Sequence, residues 1–329
     1  MEKRRPILAV LGTRFGDFDV ERRVMGDVEI VSGPGRDRSE ILDVAGVADV
    51  ILAGAAPRFD AETLEKLECR GIVRLGVGVD TVDLDAARRL GMWVSYIPDY
   101  GTEAVALHAV TLALAAIRRL PMADRHLREG SWGFANLRPL HLPQALTVGV
   151  VGFGRIGRRV AGMLCALGFE RFLVADPEVS EDVLAASGIF GSTRLASVAD
   201  VLTESDLVTL HAPASSAGPL LGAAEMATMK QGSIVVNTAR GALIDTAALV
   251  AGLRAGRPGV AALDVFEPEP LDVAVFEPVA ERVILTPHMS WYTEETELEL
   301  RRQGAAEARR ILEGGRPLNP VAVPQEEAV

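Results

Sequence analysis

Gly152-Phe153-Gly154-Arg155-Ile156-Gly157 follows an apolar run, Thr147 to Val151, that reads as a strand, and it opens a helical pattern, Arg155 to Leu167. A second apolar run, Phe172 to Ala175, then ends in Asp176. A Gly-x-Gly-x-x-Gly hexamer alone is common by chance. Between a strand and a helix, with an acidic residue roughly 20 positions further on, it specifies a βαβ unit built around a dinucleotide diphosphate. Gly152 permits the tight turn, Gly154 lets the backbone approach the diphosphate, and Gly157 allows helix and strand to pack closely. The helix N-terminus supplies N–H donors and positive dipole. Asp176 is placed to accept from a ribose 2′-hydroxyl, whereas a 2′-phosphate would meet its charge and find no arginine at Pro177 or Glu178. NAD is expected over NADP.

The same strand–helix alternation runs along nearly the whole chain, the signature of β/α units around a parallel sheet. Strands are expected at Ile7–Leu11, Val28–Val31, Val50–Leu52, Ile72–Leu75 and Trp93–Ser95, with helices such as Ala61–Leu67 and Leu84–Leu90 between them. Pro98-Asp99-Tyr100-Gly101 forms a turn cluster, followed by a long Ala/Leu-rich helix, Thr102–Leu120, that Pro121 is expected to stop. A second series opens at Leu146, and a charged helix, Thr293–Leu312, follows its last strand. At 329 residues two domains are the default. The expected fold is α/β, two Rossmann-like or flavodoxin-like parallel-sheet domains with a cleft between them. Residues 1–98 with 287–329 would form a discontinuous substrate domain and 99–286 the NAD-binding domain, with Gln325–Val329 frayed.

Composition excludes several classes. A net charge of -11 without a long Lys/Arg block argues against a nucleic-acid surface. No run approaches the ~20 apolar residues of a membrane span, and Ile7–Leu11 is too short for a signal segment. Cys69 and Cys165 are isolated, so neither a disulfide framework, a metal site nor thiol catalysis is expected, and a reducing, cytoplasmic setting is.

Three consecutive runs, Ser233–Asn237, Val260–Asp264 and Arg282–Leu285, are followed by Arg240, Glu269 and His288. Neighbouring strand ends of a parallel sheet share one crevice, so these groups can converge on one small ligand. Taken singly, an Arg after a strand is usually a surface residue, and a Glu between Pro268 and Pro270 a solvated one. Together, beside a nucleotide fingerprint, they match the needs of hydride transfer to a 2-oxo acid. Arg240 offers planar bidentate pairing to a carboxylate. His288 changes charge near neutral pH and is the expected acid/base. Glu269 would pair with the imidazolium, raise its proton affinity and fix its tautomer. His108 is read as structural, His126 and His141 as exposed, and His211, with Pro213 just beyond, as lining the nicotinamide side.

At these residues the chain resembles the D-isomer-specific 2-hydroxyacid dehydrogenases over essentially its whole length. The motifs are Val151-Gly-Phe-Gly-Arg-Ile-Gly157, Asn237-Thr-Ala-Arg-Gly241, Ala262-Leu-Asp-Val-Phe-Glu-Pro-Glu-Pro270 and Thr286-Pro-His-Met-Ser-Trp291. Arg74-Leu-Gly-Val-Gly-Val-Asp80 and Pro98-Asp-Tyr-Gly-Thr-Glu103 are similar to the family's substrate loop and interdomain turn. Trp291-Tyr292 and the Arg-rich last helix are most similar to the C-terminal-binding-protein branch. The resemblance implies Arg240, Glu269 and His288 as the catalytic set, and NAD contacts from Arg155, Ile156, Asp176, His211, Thr238, Ala239 and Asp264. It also implies a substrate carboxylate held by backbone N–H groups around Val77 and Gly78, and a homodimer through the cofactor domain. Leu107 replaces an acidic residue of the family pattern and Thr81 an asparagine, changes that bear on substrate identity.

Trp291, Tyr100 and Trp132 can furnish an aromatic wall for an apolar, aromatic or thioether side chain, or serve as core packing. No cluster of extra Arg or Lys near Val77 marks a phosphate pocket, with Arg58 the only nearby candidate, so a phosphoglycerate-type substrate is less expected. The expected function is NAD-dependent interconversion of a 2-oxo acid and a D-2-hydroxy acid. The alternatives are a phosphite or phosphoglycerate-type dehydrogenase and an NADH-gated protein-interaction module of corepressor type; the intact triad and the lack of a long C-terminal extension favour the enzyme.

Overall fold

The computed structural model describes residues 4–189 and 191–324, so the tail read as frayed lies outside the described residues. The chain divides into two compact units, Met1–Gly101 with Thr293–Val329, and Thr102–Tyr292. The second crossing falls at Tyr292 rather than residue 286, so His288 and Trp291 belong to the unit that carries the glycine loop.

In the first unit β1 (Ile7–Leu11), β2 (Glu29–Gly33), β3 (Val50–Ala53), β4 (Gly71–Arg74) and β5 (Trp93–Tyr96) lie parallel in the order β2-β1-β3-β4-β5, a flavodoxin-like arrangement. A strand not anticipated from sequence, β13 (Pro320–Ala322), pairs antiparallel with β5. It occupies the sheet edge, where a proline's missing N–H is tolerated. Leu8 to Leu11 are completely buried, which is why β1 reads as an unbroken apolar run rather than an alternating one.

The second unit has seven parallel strands: β6 (Thr147–Val151), β7 (Arg171–Ala175), β8 (Ser192–Leu195), β9 (Leu207–Leu210), β10 (Ile234–Asn237), β11 (Val260–Leu263) and β12 (Val283–Leu285). Their order, β8-β7-β6-β9-β10-β11-β12, is the dinucleotide-binding topology, with the winding direction reversing between β6 and β9. Strand β8 escaped notice because Ser192, Thr193 and Arg194 are polar, as a half-exposed edge strand allows.

The long helix differs from expectation. It ends at Ile117, Arg119 takes a left-handed φ of 50°, and Pro121 lies in the first turn of a new helix, Leu120–Arg128. There its ring suits the backbone and its absent N–H had no partner to lose. Likewise the Ala61 helix ends at Leu64. Among the described residues no single helix is long and apolar enough to cross a membrane. The bent pair Thr102–Ile117 and Leu120–Arg128 passes by composition, but Ala106, Ala109, Val110, Leu112 and Ala113 are core residues of their own unit.

The charged helix, Glu294–Leu312, is capped by Thr293, whose hydroxyl accepts from Thr296 N at 3.2 Å. Its Arg301 is 7% exposed and donates to both oxygens of Glu21, which has no exposed surface, at 2.9 and 2.8 Å. Phe15 stacks 4.6 Å from the same guanidinium. Removing one partner of such a pair strands a buried charge. Arg301→Met should therefore cost about 3–5 kcal/mol of unfolding free energy in urea titration, and a loss under about 1 kcal/mol would show the pair to be dispensable.

Candidate active site

The glycine loop follows β6 at the switch point. Gly152 has φ of 87°, and a Cβ there would lie 2.6 Å from His211 and Ala212 backbone, so only glycine lets the β6 and β9 ends come together. A Cβ on Gly157 would lie 2.1 Å from Gly152 O. Gly154 caps the Arg155–Ala166 helix, and no atom lies within 4 Å of its absent Cβ, leaving room for a diphosphate over the helix N-terminus. Asp176 accepts from Phe153 N at 2.6 Å and Glu178 N at 2.9 Å. A carboxylate has about four lone-pair positions, so it can order the loop and still accept from a ribose.

Around this cradle Arg155 and Pro213 are exposed, while Ile156 and Ala239 are half-buried. Thr238 is buried with no partner for its Oγ1, a polar atom that a bound carboxamide or hydroxyl can satisfy. His211 Nε2 lies 2.9 Å from Thr209 Oγ1, and burial pushes the imidazole down to about 4, so the ring is neutral near pH 7. These groups together fit a dinucleotide.

Strands β10, β11 and β12 are adjacent, which brings the loops carrying Arg240, Glu269 and His288 to neighbouring strand ends. Glu269 accepts from His288 Nδ1 at 2.8 Å through Oε2 and from Phe266 N at 3.0 Å through Oε1. Burial pulls the Glu269 carboxyl upward, but the hydrogen bond and charge of His288, the Phe266 N–H and the Arg240 charge outweigh it and hold the group below its ordinary value. Arg240 donates to Ala239 O at 2.7 Å.

Two residues with no assigned role shape the Arg240 loop. Asn237 donates to Arg240 O at 2.8 Å and accepts from Ala239 N at 3.0 Å. A Cβ on Gly241 would meet the Phe266 carbonyl carbon at 2.0 Å, so the Arg240 and Glu269 loops approach only because that position is glycine. The signals were present in the sequence: a polar residue closing an apolar strand, and a glycine following the key arginine.

Asp264, expected as a cofactor contact, is also tied to the loop that carries His288. It has no exposed surface, and its carboxylate accepts from Thr286 Oγ1 at 2.5 Å, Met289 N at 3.0 Å and Ser290 N at 2.9 Å. It organises the His288 loop from beneath. His288 itself sits at φ 51°, a left-handed conformation costing roughly 1–3 kcal/mol that persists only where its surroundings impose it. His108, read as structural, reaches this network at Thr286. His141 is exposed as expected, whereas His126 is half-buried.

Val77, 43% exposed, and half-buried Gly78 lie beyond β4 in the first unit, as does half-buried Tyr100 before the Thr102 helix. Trp291 is half-buried with its ring edge-on to Tyr292. Trp132 is 93% exposed and forms no wall within its own chain.

Residues 110–290 match the NAD binding domain of the D-isomer specific 2-hydroxyacid dehydrogenases, and the chain belongs to that family. It is 39% identical over 279 residues to the D-3-phosphoglycerate dehydrogenase of Mycobacterium tuberculosis strain H37Rv, covering 83% of this chain and 51% of that protein. To the glyoxylate reductase of Aeropyrum pernix strain K1 it is 35% identical, covering 85% of both. The crystal structure of D-lactate dehydrogenase from Aquifex aeolicus, complexed with NAD and lactic acid, superposes with a TM-score of 0.84 at 25% identity, over 97% of this chain and all of that one. The chain spans about half the length of the D-3-phosphoglycerate dehydrogenases it matches.

Because Glu269 is held below its ordinary value near 4.5, its ionisation contributes stability above that pH, and the contribution is lost as pH falls through the lowered folded value. Unfolding free energies of wild type and Glu269→Gln should thus differ at about pH 6 and converge as pH falls through the lowered folded value. The half-exposed pair sets the gap at about 1 kcal/mol, and a pH-independent gap would show that ionisation contributes nothing.

Proposed function

We propose that this chain is an NAD-dependent oxidoreductase that exchanges a hydride between NADH and a 2-oxo acid, giving a D-2-hydroxy acid. The observation that carries the reading is the 2.8 Å pairing of His288 Nδ1 with Glu269, on strand ends adjoining the one that carries Arg240. The Gly152–Gly157 loop, Asp176, Thr238 and His211 would hold NAD, and the charge of Asp176 favours it over NADP. When bound, NAD supplies the hydride acceptor or donor at its nicotinamide. Arg240 presents its fork to the substrate carboxylate and stabilises negative charge as it grows on the carbonyl oxygen. With Nδ1 committed to Glu269, His288 gives a proton from Nε2 to the developing alkoxide in reduction and takes it back in oxidation. Glu269, ionised near neutral pH, stabilises the imidazolium and fixes the ring.

A phosphorylated substrate is the second reading, supported by the 39% identity to a D-3-phosphoglycerate dehydrogenase. One panel separates the two: glyoxylate, pyruvate, branched and aromatic 2-oxo acids, and phosphorylated 3-hydroxypyruvate, each with NADH and NADPH. His288→Ala should lower kcat by about 100-fold or more with NADH affinity retained, and full turnover would remove the imidazole from the mechanism.

That Cys69 and Cys165 form no disulfide supports a reducing, cytoplasmic setting. We also infer a homodimer through the cofactor unit. Trp132, Phe134, Leu120, Leu127 and Leu142, all at least 56% exposed, cluster along one stretch of that unit, and apolar exposure on this scale marks a protein interface. Trp132→Glu should weaken self-association by about 30-fold or more in sedimentation equilibrium, and an unchanged mass distribution would exclude this surface.

A further inference from the structure

Beneath the His288 loop runs a polar chain that begins on a helix far from the triad in sequence. His108, on the Thr102–Ile117 helix, places Nε2 3.0 Å from Thr286 Oγ1 and 3.7 Å from Asp264 Oδ1. Thr286 Oγ1 donates to Asp264 Oδ1, and Asp264 accepts from the backbone N–H groups of Met289 and Ser290, just past His288. His288 N donates to the Asp264 carbonyl at 2.8 Å and to Thr286 O at 3.1 Å. The backbone on both sides of the imidazole is therefore tied to two residues, and His108 holds one of them from a different element.

Donor counting sets the polarity of this chain. A hydroxyl carries one proton, and Thr286 directs its own at the Asp264 carboxylate. Its oxygen can then only accept from His108, so Nε2 of His108 must bear a hydrogen. That bond fixes the Thr286 rotamer, and the rotamer delivers the hydroxyl proton to Asp264. Without the His108 donor the hydroxyl is free to turn, and the carboxylate that orders residues 289 and 290 loses the Thr286 donor.

We propose that His108 is a positioning residue for His288, acting through Thr286 and Asp264 to keep the imidazole in its left-handed backbone conformation with Nδ1 on Glu269. His108 touches neither substrate nor proton in transit. The consequence for turnover rests on the function proposed above; the consequence for the placement of His288 does not.

Two measurements on the full chain test this. In histidine side-chain 15N–1H correlation spectra, His108 should be protonated at Nε2. The His288 Nδ1–H signal should broaden or vanish in His108→Leu and return in His108→Gln, whose amide nitrogen reaches Thr286 as the imidazole does. In steady-state kinetics His108→Leu should lower kcat by about 10- to 100-fold, the scale of a misplaced reacting group, with KM and NADH affinity within about twofold. His108→Gln should recover most of the loss, a rescue that a merely space-filling side chain would not require. If His108→Leu does not fold, Thr286→Val cuts the same link at nearly constant volume, and the same loss of the His288 signal is expected. A His108 protonated only at Nδ1, or a His108→Leu protein whose His288 signal matches wild type, overturns the proposal. A wild-type chain inactive on every 2-oxo acid would sink the proposed function, and the two NMR signals would still decide this inference.

Discussion

A parallel strand covered on both faces can carry almost no polar side chain along its length, because its backbone groups are already paired and nothing remains to satisfy another donor or acceptor. Chemistry is displaced to the strand ends. In the second unit Gly152 follows Val151, His211 follows Leu210, Thr238 follows Asn237 and Asp264 follows Leu263, each the first residue beyond a buried strand. All the strands point the same way, so those residues emerge on one edge of the sheet. The exceptions obey the same rule. Thr209, buried within β9, is satisfied by His211, and Asn237, the last residue of β10, spends its amide on the Arg240 loop. The place of the site thus follows from burial before any catalytic demand is made.

Burying Asp264 without exposed surface is a large electrostatic cost, and its offset is structural. A carboxylate that accepts from a hydroxyl and two backbone N–H groups recovers its solvation, and those two N–H groups belong to the turn that carries His288. A hydrogen-bonded anion and a strained φ therefore stabilise each other's placement. The imidazole can then face Glu269 with little freedom to lose in the transition state, the condition under which an acid/base group is most effective.

The βαβ topology was legible because glycine spacing and two-sided burial are local properties: the strand cores from β1 to β12 other than β8 appear as apolar runs within a residue or two of their ends. The juxtaposition of Arg240, Glu269 and His288 was legible because three strand ends in succession carried chemically complementary groups. Where sequence reading failed, the deciding contact was distant. The Arg119 kink is not dictated locally, since Pro121 is equally compatible with ending one helix or starting the next, and the Leu120–Arg128 helix has no buried residue to mark it. Edge strands β8 and β13 lack the apolar run that central strands need. Asp264 looks like any acidic residue at a strand end, and its hydrogen bonds to Thr286, Met289 and Ser290 could not be read from sequence. Trp132 reads as a wall or a core residue, yet it is at the surface; hydrophobicity alone does not say which surface a side chain covers.

The relatives named above act, by their names, on a phosphoglycerate, a glyoxylate and a lactate, although identities to this chain span only 25% to 39% and the fold is shared. That combination is physically coherent. On the function proposed above, Arg240, Glu269 and His288 would meet what all 2-oxo acids have in common, a carboxylate and a carbonyl, and their geometry would be insensitive to the rest of the substrate. Discrimination rests on whatever surrounds the remaining side chain, where one methylene is worth about 1–3 kcal/mol and a buried polar mismatch considerably more. Such differences need only a few loop residues, which carry no strand register. On that reading, reaction type is tied to the strand ends of the sheet and substrate choice to the loops.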